Sequence, residues 1–216
     1  MNYLHSQCKK CMLPAMSTLA PRTDGRAARA ERTRDAVVDA MLSLVDEGEL
    51  RPTARQISAR ANVSLRSVFQ HFEDMETLFA AAADRQLQRV MHLAARISTS
   101  APFEERLAQF VGERERLYEA ITPVRRAALL SEPFSTEVAR RLKWTRDQNH
   151  SELERVFAPE LSALPKRERA DTTAALHAST EWSAWETLRS HDQLSPADAS
   201  RVMSLTIRSL LRRDSR

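Results

Sequence analysis

From Ala28 onward, apolar residues recur at three- and four-residue spacing, which marks one buried face of an α-helix. Val37, Ala40, Met41, Leu44 and Val45 share such a face, and Gly48 stands where a left-handed cap would close the helix. Thr53-Ala54-Arg55-Gln56 has the form of a capping box: Thr53 accepts from the Gln56 amide and the Gln56 side chain returns the bond. The short helix that follows buries Ile57 and Ala61. Asn62 tolerates the left-handed conformation and can make a tight turn, and Ser64 is a good N-cap for a second short helix from Leu65 to about His71. Val68 and Phe72, four apart, pack inward with Val63, while Leu65, Arg66, Ser67 and Gln70 occupy the other face. Asp74 caps a long helix whose stripe runs Leu78, Phe79, Ala82, Leu87, Val90, Leu93, Ala94 and Ile97. Beyond it, prolines mark boundaries, with Thr122-Pro123 and Ser195-Pro196 in cap-then-proline form. The spacing predicts helices near 103–120, 122–131, 135–157, 166–190 and 196–212. Residues 1–27 show no periodicity and read as a flexible arm.

The composition agrees with an all-α chain. Only three of 216 residues are glycine, at Gly25, Gly48 and Gly112, while Ala, Leu, Arg and Glu abound. The net charge of +4 is mild, but its placement is uneven: between Met1 and Arg34 seven basic residues stand against two acidic ones. Such an arm either contacts phosphates or a minor groove, or is simply a solvated leader, within which Met12 and Met16 offer alternative starts. No stretch reaches the roughly 18 apolar residues that a bilayer span needs, and no secretory apolar core opens the chain, so a cytoplasmic protein without membrane contact is expected. Cys8 and Cys11 are spaced C-x-x-C, but zinc takes four ligands and no second pair follows; His150, His177 and His191 are scattered. No metal and no cofactor is expected. Neither a nucleophile elbow, a glycine-rich phosphate loop nor H-E-x-x-H occurs, which argues against an enzyme.

Two short helices joined by a tight turn, the second with a polar outer face, form a helix-turn-helix, whose second helix fits a DNA major groove. The run from Thr53 to Phe79, TARQISARANVSLRSVFQHFEDMETLF, resembles the signature of the TetR family of transcription regulators. That signature reads T-x-x-x-[IL]-A-x-x-A-G-V-S-x-x-[TS]-[LIV]-Y-x-H-F-x-[SN]-K-[ED]-x-L. Three departures stand out. Asn62 replaces a glycine, Phe69 a tyrosine and Met75 a lysine, and the last two remove phosphate contacts that the basic arm or Arg60 would have to replace. The resemblance implies that Thr53, Ser67 and His71 touch the phosphate backbone and that Phe69 packs on the sugar–phosphate wall. It further implies that Arg55, Ser64, Leu65, Arg66 and Gln70 face the groove. Side-chain chemistry supports two of these independently: Arg66 suits guanine O6/N7 and Gln70 suits adenine N6/N7.

The resemblance implies an architecture of a basic arm (1–27), a helix-turn-helix DNA-binding domain (28–74) and a sensing and dimerisation domain (75–216). Its last two helices would pair with their copies, here through Leu176, Thr180, Trp182, Trp185 and Leu188 and through Ala199, Val202, Thr206, Ile207, Leu210 and Leu211, although periodicity alone does not separate these from ordinary core. The partners implied are double-stranded DNA, a second copy of the chain, and a small apolar or aromatic effector. Candidate walls for the effector pocket are Phe103, Phe110, Tyr118, Phe134, Trp144, Phe157 and Trp185, equally readable as core. The reading is thus a ligand-responsive repressor acting as a homodimer on a palindromic operator. Its competitor is a helical protein-binding adaptor with a structural helix-turn-helix.

Overall fold

A computed structural model describes residues 25–94 and 96–212, and every regular element among them is helical. Helix α1 spans Gly25–Asp46, α2 Ala54–Arg60, α3 Leu65–His71 and α4 Met75–Val90. Helices α5 (Phe103–Ser131), α6 (Thr136–Val156), α7 (Ala158–Ala163), α8 (Lys166–Thr180), α9 (Trp182–Glu186) and α10 (Pro196–Leu211) follow. The expected arm lies outside the described residues up to position 24, and Cys8 and Cys11 with it. Residues 25–27 of that arm are helical. Burial periodicity misses this start because the first turns of α1 are exposed; strong helix formers such as Ala28, Arg29, Ala30 and Glu31 carry them instead.

Local hydrogen bonding sets the punctuation of the first four helices. Gly48, at φ 97°, closes α1: Glu49 N–H donates to the Leu44 carbonyl at 2.9 Å and Gly48 N–H to Val45 at 3.0 Å. Asn62, at φ 53°, closes α2 in the same way, with Val63 N–H on Ser58 and Asn62 N–H on Ala59. Thr53 and Gln56 form the full capping box, and Ser64 and Asp74 cap α3 and α4 through the amides of Ser67 and Thr77. Val37, Val38, Met41, Leu42, Ile57, Val68, Phe72 and Leu78 close into one core beneath these helices.

A second core lies in the C-terminal part. Phe110 meets Phe157 edge to face, Tyr118 lies beside Trp185, and Leu176, Ala199, Met203 and Ile207 fill in from α8 and α10. Ile97 joins this core from beyond α4, which gives way to a 3₁₀ turn at Met91–Leu93 rather than running to 97.

Two other expectations need correction. Thr122-Pro123 does not start a helix, since α5 runs through Pro123. The Thr122 hydroxyl donates back to the Tyr118 carbonyl at 2.6 Å and accepts the Trp182 indole N–H at 3.0 Å, so it is not a cap. Proline costs a helix interior about 3 kcal/mol; α5 nonetheless continues through it, with Tyr118 and Ala127 buried on either side. The predicted helix 166–190 instead breaks at Glu181, which is extended, and continues through α9 into a π turn at Thr187–His191. The break frees the Thr180 carbonyl, and the buried Tyr118 hydroxyl donates to it at 2.7 Å. In addition, Leu176, Thr180, Trp182, Trp185, Ala199 and Ile207, named above as pairing residues, are buried within the chain itself.

Candidate nucleic-acid interface and effector cavity

Helix α3 is clamped from beneath by Val68 and Phe72, both buried, and Phe72 lies under the Arg34 guanidinium at 5.0 Å. This orientation turns Leu65, Arg66, Phe69 and Gln70 outward, all exposed, with Ser67 and His71 half-buried at the edge. Thr53, Arg55 and Ser64 are exposed on the adjoining end of α2 and the turn before α3. Of the nine sequence-predicted residues, seven are exposed and two half-buried, on α2 and its N-cap, the turn and α3. Arg55 and Arg66 form no ion pair among the described residues, so both cations are available to a partner. Phe69 is 50% exposed, an apolar ring presented to solvent.

Two details change the expected roles. The Thr53 amide and hydroxyl both donate to Gln56 Oε1, at 2.8 and 2.7 Å, while Gln56 Nε2 is held by Glu49 at 3.0 Å. A phosphate contact from the Thr53 hydroxyl therefore competes with its bond to Gln56 Oε1. Arg60 is not free to replace the lost lysine, because it forms a two-pronged pair with Glu47, 2.6 Å per arm, and donates to Ser43. That pairing holds the Glu47 carboxyl below the usual carboxylate range.

The head is coupled to α4 by a cluster that the sequence reading missed. Asp35 and Asp39, one turn apart on α1, face Arg85 and Arg89, one turn apart on α4; Arg89 reaches Asp39 at 2.9 Å and Arg85 pairs with both aspartates. The i,i+4 charges were visible, but nothing local joins positions about 50 apart in the chain. Gln86 donates to the Ala120 carbonyl at 3.0 Å, linking α4 to α5.

Between the two cores lies a cavity of about 790 Å³. Its walls are Met41, Leu42 and Val45 of α1, Phe79 and Leu87 of α4, Leu117, Ile121 and Arg125 of α5, and Leu142 and Trp144 of α6. Of the aromatic residues predicted to line a pocket, Trp144 alone is among its walls. Phe103, Phe110, Tyr118, Phe157 and Trp185 are core, and Phe134 is 82% exposed elsewhere. Bulky aromatics bury the most area, so the core claims them first. The cavity is left mostly to aliphatic residues, with Phe79 and Trp144 and several charged side chains among them.

His150 and His177 are not scattered: α6 and α8 stack their rings 3.7 Å apart. His150 Nε2 lies 2.8 Å from Glu181 Oε1 and His177 Nε2 lies 3.1 Å from Glu154, neither pair aligned as a hydrogen bond. Burial, and then the neighbouring His150, lowers the pKa of His177 below its ordinary 6.5. No cluster of three or more His, Cys, Asp or Glu placed to hold a metal ion occurs among the described residues, and no helix among them is long and apolar enough to cross a membrane.

Solved structures share this architecture. A transcriptional regulator from Rhodococcus sp. Rha1 aligns with a TM-score of 0.62 at 18% identity, over 84% of this chain and 95% of that one. A protein titled as a TetR-family transcriptional regulator from Mesorhizobium loti aligns at 0.58 and 16% identity, over 85% and 96%. A TetR-like transcriptional regulator from Rhodococcus sp. RHA1 aligns at 0.56 and 18% identity, over 86% and 97%. No protein-family model and no curated protein matches the sequence. The chain has the all-helical fold of these regulators.

Proposed function

We propose that the chain is a sequence-specific DNA-binding transcription regulator that acts in the cytoplasm as a ligand-responsive homodimeric repressor. The observation that carries this reading is the outer face of α3. It gathers an unpaired Arg66 and an exposed Gln70 on a rigidly capped helix, with Arg55 beside it. In this reading Arg66 and Gln70 read base edges, and Arg55, Ser64 and Leu65 line the groove. Ser67, His71 and Thr53 meet phosphates, and the Phe69 ring lies on the sugar wall. Residues 28–74 serve as the reading head and 75–216 as the sensing and dimerising body.

One head per chain favours a homodimer, whose two recognition helices must stand about 34–36 Å apart to enter successive major grooves. The proposed contact is the outer face of α8 and α10. There Ala170, Ala174 and Ala178 form an exposed stripe of small residues, and α10 adds Val202 and Leu205, the latter 61% exposed. For the sensor we take the cavity, because α1 of the head and α4, α5 and α6 of the body wall it together. A ligand that fits only one arrangement of those walls shifts the spacing of the heads by its preference for that arrangement.

A second reading has one observation in its favour. Leu65 and Phe69, one turn apart and both exposed on α3, would suit a protein partner. Selection from a random DNA library at two salt concentrations separates the two. An enriched palindrome whose affinity falls with salt is expected of the regulator; no enrichment at either salt rejects it in favour of the adaptor.

A further inference from the structure

Arg125 is the anomaly of the cavity. It is 8% exposed on α5, its Nε has no hydrogen-bond partner, and it forms no ion pair among the described residues. A buried guanidinium is ordinarily paired, because desolvating a lone charge costs several kcal/mol. Of the other arginines of the wall, Arg141 pairs with Asp84 and Glu137, Arg155 pairs with Glu152, Arg114 lies over the Phe110 ring at 4.6 Å, and Arg96 is exposed to solvent. Burial draws the Arg125 guanidinium below its ordinary range, against the more distant attraction of Glu181. Five arginines and two glutamates line a cavity that is otherwise mostly aliphatic.

We propose that this cavity takes a carboxylic acid with an apolar body, its carboxylate accepting hydrogen bonds from the Arg125 guanidinium. The inference rests on the reading of the cavity as the effector site and supplies the charge of the effector, where the aromatic-pocket expectation supplied none. A planar guanidinium matches a carboxylate with two parallel N–H bonds. A single negative charge is specified rather than a phosphate dianion, because Glu181 and Glu132 already add negative potential at Arg125. The apolar body lies along Leu117, Ile121 and Leu142, and reaches Met41 and Val45 on α1. Neutralising Arg125 would thus be tied to contact with the reading head.

The test is calorimetric titration of the full chain with decanoate and with 1-decanol, which has the same chain and no charge. Decanoate is expected to bind at least about tenfold more tightly than decanol, the span of one charge-assisted hydrogen bond. Arg125→Met should remove that preference, and Arg125→Lys should keep part of it. Arg125→Met should also leave the melting temperature of the free protein unchanged or higher, since it removes an unpaired buried charge; a lower value would give Arg125 a structural role and overturn the proposal. Equal binding of decanoate and decanol, or decanoate binding untouched by Arg125→Met, also overturns it while leaving the cavity reading intact. Binding of neither probe removes the cavity reading and this proposal with it.

Discussion

Asn62 shows how much one residue decides. Its left-handed conformation turns the chain from α2 into α3, and the two bonds that close α2 depend on it. A β-branched residue there is strained by about 1–2 kcal/mol. Asn62→Val is therefore expected to lower the unfolding free energy from urea denaturation by that amount, whereas Asn62→Gly should leave it nearly unchanged. Tyr118 is the matching case in the body. Its hydroxyl serves the carbonyl freed where α8 breaks, and burial pushes its pKa up to about 12, so it stays protonated. Tyr118→Phe should cost about 1–2 kcal/mol by denaturant unfolding, the usual loss for a buried hydrogen bond. His177 gives a pH dependence. Its folded pKa lies below 6.5, so as pH falls through 6.5 the unfolded chain binds a proton that the folded chain resists. Stability contributed by neutral His177 is full above 6.5 and declines below it until the folded pKa is passed. His177→Gln should flatten that decline in urea midpoints measured against pH.

At the scale of elements, what was legible in the sequence was what is decided locally. Gly48, Thr53, Asn62, Ser64 and Asp74 each act through bonds to residues within five positions, so their types and spacing announce α1 to α4. The outward face of α3 follows from the same local frame, which leaves Leu65, Arg66, Phe69 and Gln70 exposed on it. Elements governed by distant contacts were not legible. Thr122-Pro123 has the form of a helix start, yet Trp182, 60 positions away, takes the hydroxyl. The break at Glu181 depends on Tyr118, and the stacking of His150 on His177 depends on how α6 meets α8. A pocket between the middle helices was expected, but most of its walls were missed because an aromatic residue signals burial rather than a lining, and the core absorbed five of the seven aromatic candidates.

At the scale of the whole molecule, two cores lie on either side of the cavity, and in the proposed mechanism the head shifts against the body across it. The aspartate–arginine cluster between α1 and α4 is about a third to a half exposed, and each pair contributes little to stability. The proposed shift of the head draws on that weakness. If the α8–α10 face pairs two copies, Leu205→Glu places a charge in its centre. Sedimentation velocity should then show a monomer with an unchanged circular dichroism spectrum and DNA affinity reduced about a hundredfold or more, because two linked heads bind far more tightly than one.

The central claim is that the outer face of α3 reads bases. The most direct measurement compares wild type with Arg66→Ala on the selected operator and on every single-base change of it, at fixed salt. The variant is expected to lose preference at one symmetric pair of positions, by about 1–3 kcal/mol, and to keep it elsewhere. Uniform weakening across all sequences would make Arg66 a phosphate contact, and no change at any position would move the reading surface away from α3.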